Sequence, residues 1–396
     1  MSVFGMRIAG PIDRLSVEQR YRLMGKFMYA LDEPNIRILR LMHKIGPRNL
    51  LEVARAAGLP PTSVYDRARK LEERFGILSI ANLDHSKLGL RKCITLVESN
   101  PGLEDFVTEA LSIPNYWKTV TRCEGGFTHY ALHAVPEGRD REFEKYLATT
   151  QERGLVRKFE IVWVTDYHYS FPNFTLYDPA TSTWVFEWDR WTDSIKKKDH
   201  AAKAIHDPAN YSTEADKADL LILTELERNG RARFSDISKN MGITLQAVKY
   251  RYDRRIMPRD LIKNFVINMV VHPPELSDLY EILLSFEDEE GMNSFFGESE
   301  EMFPILRTVK VLGETKLGIR TYSPHNETGQ LFGMLSKLAR SGLVSDYSAV
   351  RIRPETQARQ TISAELFEDK VGWKYESGRH LDTLDTIAEH AKVGTG

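Results

Sequence analysis

Side chains suited to contacting a DNA duplex cluster at residues 246–254. Glutamine bonds bidentately to adenine, while lysine and arginine neutralise phosphates or bond to guanine. The residues that we expect to contact DNA here are Gln246, Lys249, Tyr250, Arg251 and Arg254. An earlier stretch offers a comparable set, which is Thr62, Ser63, Tyr65, Arg67 and Arg69. Because Asp66 lies among these earlier residues, we expect the later stretch to bind DNA more strongly.

His129 and His133 offer a different chemistry, which is general acid–base catalysis. Residues at i and i+4 of a strand point to the same face, so the two imidazoles are expected side by side. A histidine pair on a sheet face is more often structural than catalytic. The matching places of the second half carry Lys316 and Arg320 instead. We therefore expect no catalytic residue and keep an enzyme as the alternative.

Both candidate DNA-binding stretches lie in copies of one sequence pattern. Residues 32–72 align without gaps on residues 216–256. The identities pair Asp32 with Asp216, Ile38 with Ile222, Leu39 with Leu223, Gly46 with Gly230, Gly58 with Gly242, Val64 with Val248 and Arg67 with Arg251. Apolar residues at helical spacing predict three short helices in each copy, with a glycine turn before the third. This is a helix-turn-helix, whose recognition helix enters the major groove; a scaffold or dimerisation unit is the alternative.

A change from helical to alternating periodicity follows each helix-turn-helix. In the first half, it predicts strands at residues 93–97, 116–123, 127–135 and 158–164, with helices at 103–111 and 142–150. This βαββαβ order is the ferredoxin-like motif. The same order recurs after Ile256, and a pair of short strands follows each copy. The predicted fold class is α+β, with two tandem copies of a winged helix-turn-helix followed by a ferredoxin-like βαββαβ domain, each with a β-hairpin extension.

This organisation gives seven predicted segments. They are an N-terminal helix (1–31), winged helix-turn-helix unit one (32–83), a first ferredoxin-like, RAM- or ACT-like domain (84–166), a hairpin and basic linker (167–212), winged helix-turn-helix unit two (213–263), a second ferredoxin-like domain (264–353), and a hairpin with the C-terminal tail (354–396). We expect the acidic run at 287–301 and the lysine-rich run at 196–203 to be solvated surfaces.

Composition limits the cellular setting and the chemistry. The chain has 396 residues and a net charge of -2, which is compatible with a local basic surface that binds DNA. Its two cysteines, Cys93 and Cys123, provide no disulfide framework, so we expect a reducing cytoplasm and two small buried residues. No apolar run approaches the roughly 20 residues of a membrane span. We find no phosphate-binding loop and no Cys/His metal spacing, and we expect no cofactor and no metal.

A helix-turn-helix followed by a βαββαβ domain resembles the Lrp/AsnC family of archaeal and bacterial transcription regulators. The motifs that carry this resemblance are Leu220-Leu221-Ile222-Leu223, Gly242-Ile243-Thr244-Leu245-Gln246-Ala247-Val248, and the turns around Gly125 and Gly313. The resemblance implies an amino-acid effector near a Gly-x-x-Asp turn. The matching effector-binding positions are Gly125, Gly126, His129, Gly313 and Lys316, although neither turn has the aspartate.

The predicted function is a sequence-specific, DNA-binding transcription regulator that reads the major groove with two recognition helices. The expected partners are double-stranded DNA and a small-molecule effector, and the chain is expected to be a homodimer or a pseudo-symmetric monomer. Two recognition helices on one chain would address half-sites roughly 34 Å apart. The layout also resembles siroheme decarboxylases, which makes a tetrapyrrole decarboxylase the first alternative. A ligand-sensing or interaction module without DNA affinity is the second.

Overall fold

The computed structural model describes residues 31–75, 77–181, 183–198, 203–269, 272 and 276–394. The N-terminal helix predicted before Leu31 lies outside them. The first half contains α1 (Glu33–Ile45), α2 (Leu50–Ala57), α3 (Pro61–Phe75), β1 (Leu78–Leu83), β2 (Leu90–Ser99), α4 (Glu104–Ala110), β3 (Trp117–Glu124), β4 (His129–Pro136), α5 (Asp140–Glu152), β5 (Val156–Val164), β6 (His168–Tyr169), β7 (Tyr177–Asp178), β8 (Thr183–Trp184) and α6 (Trp188–Lys197).

The second half presents the main elements again in the same order. It contains α7 (Lys217–Arg228), α8 (Phe234–Met241), α9 (Leu245–Arg251), β9 (Ile262–Asn268), β10 (Ser277–Phe286), α10 (Glu289–Ser299), β11 (Ile305–Lys310), β12 (Lys316–Pro324), α11 (His325–Arg340), β13 (Val344–Ile352), β14 (Ala358–Arg359), β15 (Phe367–Glu368), β16 (Gly372–Trp373) and α12 (Ser377–Gly394). A π-helical turn, Tyr252–Ile256, continues α9. The predicted α+β class is confirmed.

The helices of unit one begin and end where local chemistry requires. The Asp32 side chain accepts a hydrogen bond from the Asn35 N–H at 2.8 Å, which caps the N-terminus of α1. At the end of α2, Gly58 adopts a left-handed conformation with φ 64°, and its N–H bonds back to the last helical turn. Pro61 opens α3, where its missing N–H costs no helical hydrogen bond. The helix-turn-helix geometry is therefore encoded locally.

Eight strands from the two halves form one closed ring. Within each half the last strand lies beside the first, in the orders β5-β2-β4-β3 and β13-β10-β12-β11. One seam between the halves joins β3 to β13 through the Cys123–Ile352 pair. The other joins β5 to β11 through a bridge between Val164 and Val311. Side chains of the two halves meet inside the ring, because a Cβ at Gly318 on β12 would lie 3.7 Å from Ile94 Cδ1 on β2.

Each half sends its C-terminal extension onto the opposite half. Helix α6, which follows the first hairpin, packs on α10 and α11 of the second half. Helix α12, which follows the second hairpin, packs on α4 and α5 of the first half. Helix α6 therefore lies within the segment predicted as a hairpin and basic linker (167–212), and the tail after the second hairpin is helical. Local sequence did not reveal these helices, because their apolar faces are buried only against a distant part of the chain.

The charged side chains of the acidic and basic runs are mostly exposed, as predicted, and some of them pair with each other; Glu298 is the exception because it is buried. Lys198 Nζ bonds to the Glu290 carboxylate at the end of α6. Lys203 Nζ lies 2.6 Å from Glu300 Oε2. Ser194 donates to Glu298 Oε2 at 2.6 Å, and Glu298 is fully buried. These contacts join α6 to α10 by charge as well as by apolar packing.

The two helix-turn-helix units are joined through their wings. Strand β1 pairs antiparallel with β9, from Leu78 against Asn268 to Leu83 against Ile262. The Arg48 guanidinium donates to the carbonyls of Gly230 and Ala232 at 2.9 and 3.0 Å. It also lies over the ring of Phe234, 4.2 Å from its centroid. Each predicted wing strand exists, but it pairs with the wing of the other unit.

Substitution of Trp191 by alanine should test the exchanged position of α6. Trp191 is fully buried and contacts the rings of Trp188 and Phe303, with centroid separations of 5.1 and 6.4 Å. Removing a buried indole leaves a cavity, so we expect the free energy of unfolding to fall by about 3–5 kcal/mol in urea denaturation. Val371→Ala is the control because Val371 is 66% exposed. A loss below about 1 kcal/mol for the tryptophan variant would contradict this packing.

Candidate nucleic-acid interface

Helix α9 presents a polar face from a well-defined N-terminus. Gly242 ends α8 in a left-handed conformation, and the Thr244 hydroxyl caps α9 by accepting from the Ala247 N–H at 3.1 Å. Gln246 and Lys249 are exposed on the following turns, and Tyr250 is 64% exposed. This places polar side chains on the first turns of the helix, the part that meets base edges in a DNA-reading helix.

The exposed polar side chains of α9 have no partner among the described residues. Arg254, on the turn after α9, is also exposed. Within the part of the chain that the structure describes, Gln246, Lys249 and Arg254 make no side-chain hydrogen bond or ion pair. Their donors are therefore available to a ligand such as a phosphate or a base edge.

Arg251 faces the opposite way and fixes α9 to the start of α7. Its Nη1 lies 2.8 Å from both Asp216 Oδ1 and Asp219 Oδ1. Arg255 Nη2 reaches Asp216 Oδ2 at 2.7 Å, and Asp219 is fully buried. Desolvation opposes the charged form of Arg251, yet both carboxylates raise its pKa above the usual range. We therefore remove Arg251 from the predicted DNA contacts.

Unit one repeats this arginine contact. Arg67 Nη1 lies 2.8 Å from Asp32 Oδ2 and 3.0 Å from Asn35 Oδ1. Asp32 and Arg67 are identical to Asp216 and Arg251 in the aligned copies, and both pairs link a helix N-terminus to the recognition helix. The recurrence of a capping aspartate with a distant arginine was the sequence signal for this ion pair. It indicates a structural role, so Arg67 is also removed from the DNA contacts.

The recognition helix of unit one faces unit two across a cleft of about 510 Å³. Tyr65, Asp66 and Arg69 line this cleft from α3, with Asp236 and Asn240 opposite them on α8. The cleft also contains carboxylates and guanidinium groups, which are Glu72, Glu73, Glu225, Arg228, Arg231 and Arg233. Thr62 is exposed and Ser63 partly exposed at the start of α3. A duplex on α3 would therefore lie against a mixed-charge protein surface that includes unit two.

The proposed effector positions do not come together in one site. Gly125 and Gly126 have φ of 109° and 90°, and Gly125 lies against the Ala349 carbonyl at the β3–β13 seam. Gly313, with φ 71°, donates its N–H to Asp207 Oδ2 at 2.9 Å near the other seam. Lys316 lies beside a separate pocket of about 290 Å³ and pairs with Glu314. The turn at Gly125 and the turn at Gly313 therefore lie at different seams of the ring and do not form one site.

His129 and His133 are core residues. His129 Nε2 lies 3.0 Å from both Thr108 Oγ1 and the Glu104 carbonyl. His133 Nε2 lies 3.0 Å from the Leu111 carbonyl, and both side chains are fully buried beneath α4. Burial lowers the pKa of each imidazole to about 4. The two histidines are therefore neutral, enclosed partners of helix carbonyls, and their placement does not favour an active site.

Other potential reactive groups are also enclosed. Cys93 and Cys123 are buried thiols, as predicted, and burial raises the pKa of Cys123 to about 12. Among the residues that the structure describes, no group of histidine, cysteine, aspartate and glutamate side chains is arranged to hold a metal ion. No described helix has the length and apolarity needed to cross a membrane.

Comparisons with known proteins support the assignment of unit two as a helix-turn-helix. The AsnC-type helix-turn-helix domain model matches residues 216–254, which confirms the motif predicted there. The siroheme decarboxylase NirDL has a similar fold, with a TM-score of 0.51 and 12% identity over 91% of this chain and 100% of that chain. This similarity is one of fold.

Two smaller proteins are similar to part of the chain. The AsnC family transcriptional regulator from Agrobacterium tumefaciens has a TM-score of 0.28 and 17% identity over 34% of this chain and 89% of its own. LrpC from B. subtilis has a TM-score of 0.27 and 20% identity, over 33% of this chain and 91% of its own. A search of curated proteins gave no match.

Acidification should destabilise the protein through the two buried histidines. Between about pH 6.5 and 4 the unfolded imidazoles take up protons and the folded ones do not, so the free energy of unfolding falls as the pH falls. A shift of this size corresponds to about 3 kcal/mol for each histidine. Urea denaturation across this range should give a smaller pH dependence for His133→Gln. His390→Gln is the control because His390 is exposed, and an unaltered slope in the His133 variant would refute the assignment.

Proposed function

We propose that the chain is a sequence-specific DNA-binding transcription regulator in which α9 enters the major groove. The observation that carries this proposal is that Gln246 and Lys249 on the capped helix α9, and Arg254 on the turn after it, are exposed and make no side-chain hydrogen bond or ion pair with the described residues. The match of residues 216–254 to the AsnC-type helix-turn-helix domain supports it. In this arrangement Gln246 reads a base edge, while Lys249 and Arg254 neutralise phosphates on the two sides of the groove.

We also propose that unit one holds unit two in position and does not read DNA itself. The cleft in front of α3 and the clamp between Arg48 and the Gly230 carbonyl support this role. One chain would then present one reading helix. Recognition of a two-fold symmetric site would need a second copy of the chain, which favours the homodimer over the pseudo-symmetric monomer. The common order of elements in the two halves supports an origin by internal duplication.

Alanine substitutions on α9 should weaken DNA binding in a salt-dependent way. A target should first be selected from random duplexes and then measured by gel shift at several salt concentrations. Each phosphate contact contributes about 0.9 to the slope of log K against log salt. Lys249→Ala and Arg254→Ala are therefore each expected to reduce the slope by about 1 and to weaken binding to all sequences alike.

Two further variants distinguish base recognition by α9 from the supporting role of unit one. Gln246→Ala should lower the preference for the selected site by about 1–3 kcal/mol without changing the salt slope. The matched control is Arg69→Ala with Lys70→Ala on α3, which should leave both quantities unchanged. Absence of a selected sequence would reject the proposed function. Loss of binding in the α3 variant alone would assign the reading role to unit one.

A tetrapyrrole decarboxylase is the second candidate, and the NirDL fold over 91% of the chain is the observation in its favour. The histidines that motivated this candidate at the sequence level are enclosed in the core. Our proposal accordingly expects no decarboxylation when the purified protein is incubated anaerobically with siroheme and the products are separated by chromatography. Time-dependent loss of carboxyl groups from the tetrapyrrole would establish the enzyme in place of the regulator.

A further inference from the structure

A cluster of charged and tyrosine side chains is buried toward one end of the ring. Lys92 on β2, Arg307 on β11 and Arg320 on β12 are 4, 8 and 3% exposed. Tyr130 on β4 and Tyr167 after β5 are also buried, together with the carboxylates of Glu281 and Asp166. We call these seven residues the interior cluster. Both halves contribute to it, so it exists only because the ring closes.

The aromatic rings support the cations of this cluster. Arg307 lies 3.8 Å and Lys92 4.0 Å from the centroid of the Tyr167 ring, and Arg320 lies 4.7 Å from that of Tyr130. The two tyrosine hydroxyls are 3.0 Å apart. Burial raises the pKa of both tyrosines, so the rings are neutral cation–π partners. The cations are therefore held in place from one side by uncharged surfaces.

Hydrogen bonding within the cluster is incomplete. Arg320 Nε donates to Glu281 Oε2 at 2.6 Å, and Arg307 Nη2 is 3.8 Å from the same oxygen. Among the described residues, Arg307 Nε and Nη2, Arg320 Nη2 and Glu281 Oε1 have no hydrogen-bond partner. Unpaired buried donors and acceptors on charged groups are costly. Three donors and one acceptor are therefore available to a ligand at the same place.

The balance of charge determines the sign of that ligand. Three cations, Lys92, Arg307 and Arg320, are set against Glu281 and Asp166. Asp166 also interacts with two groups outside the cluster, because His85 Nδ1 lies 2.8 Å and Lys263 Nζ 3.6 Å from its oxygens. Burial alone would raise the pKa of Asp166, but His85 and Lys92 bring it well below its usual range. An uncompensated positive charge in a buried site favours an anion.

We propose that the interior cluster binds a small hydroxycarboxylate as an effector. Its carboxylate accepts hydrogen bonds from Arg307 and Arg320, whose planar guanidinium groups suit a carboxylate. Its hydroxyl donates to Glu281 Oε1, the acceptor that a simple carboxylate would leave unsatisfied. The negative charge of the ligand offsets the excess of buried cations. An electrically neutral zwitterion would not provide this compensation.

The same cluster contacts the wings of the helix-turn-helix units. Asn82 on β1 donates to the Tyr167 carbonyl at 3.1 Å and to Asn264 Oδ1 on β9 at 3.0 Å. Asp166 accepts from the backbone N–H of His85, just after β1, at 2.9 Å. Strand β9 follows directly after α9 and its π-helical turn. Resting on the proposed function, we infer that the bound anion alters the position of α9 and hence DNA affinity.

Calorimetric titration of the full chain with L-lactate, without DNA, tests the binding site. The matched control ligand is L-alanine, which replaces the hydroxyl by an ammonium group and is neutral overall, with ionic strength held constant by KCl. We expect one lactate per chain and at least tenfold weaker binding of alanine. Absence of lactate binding, or alanine binding of equal strength, would overturn the proposal.

Arg320→Lys tests the contact, because lysine keeps the charge but cannot form the planar fork. We expect the lactate Kd to rise at least tenfold, with no change in Arg353→Lys, whose arginine is exposed and pairs with Glu355. If circular dichroism shows that Arg320→Lys does not fold, Arg307→Lys is the replacement with the same expected loss. Unchanged affinity in the folded cluster variant would refute the assigned residues.

A gel shift with and without saturating lactate then tests the coupling. We expect the Kd for the selected duplex to change at least fivefold, and the change to be lost in Arg320→Lys. Lactate binding with an unaltered DNA Kd would refute the coupling while leaving the binding site established. Failure to bind any duplex would reject the proposed function and would leave the calorimetric result unaffected.

Discussion

Closure of the strand ring is the constraint on which the rest of this molecule depends. A four-stranded ferredoxin-like sheet has two free edges, whose unpaired N–H and C=O groups invite pairing with another strand. Here β3, an edge strand of the first half, pairs with β13, the last strand of the second half. In the same way β11, an edge strand of the second half, pairs with β5, the last strand of the first half. Each half therefore completes the other, and the interior between the sheets becomes a space that neither half has alone.

Exchange of the extensions reinforces this closure. Helix α6 covers the helices of the second half and α12 those of the first, so each sheet has its outer layer completed by the opposite half. The stacking of Trp184 on Phe303, 4.4 Å between centroids, joins the first hairpin to the second half. The Tyr116 hydroxyl, bonded to the Lys374 carbonyl, makes the reciprocal contact. If the two halves separated, the surface that α6 covers on the second half and the surface that α12 covers on the first would both be exposed.

The relative position of the two helix-turn-helix units follows from the same arrangement. The pairing of β1 with β9 places the wings together, and the close approach at Gly230 makes this contact specific, because a Cβ there would lie 2.8 Å from the Phe265 ring. The matching residue Gly46 has open space around it and is needed for its φ of 104°. Identical residues at equivalent positions thus serve different purposes, and the two units are not interchangeable in their surroundings.

The role of each arginine depends on distant neighbours more than on its local sequence. Arg251 and Arg254 lie on adjacent turns, yet one is held by Asp216 and Asp219 while the other is exposed. The same is true of the buried Arg307 and Arg320, whose isolated positions in two strands give no indication of a common cluster. Charge on a recognition helix is therefore insufficient to define a DNA contact, and its internal partners must be known.

The helix-turn-helix follows from local sequence, because caps such as Asp32 and Thr244 and the glycine at position 58 act within a few residues. The βαββαβ order follows from it as well, because strand and helix periodicities are local. Long-range packing alone accounts for the exchange of α6 and α12, the enclosure of His129 and His133, and the contact of Lys92 and Arg307 with the same tyrosine ring. These depend on contacts between residues far apart in the chain, which exist only after the sheets have packed and water has been excluded from between them.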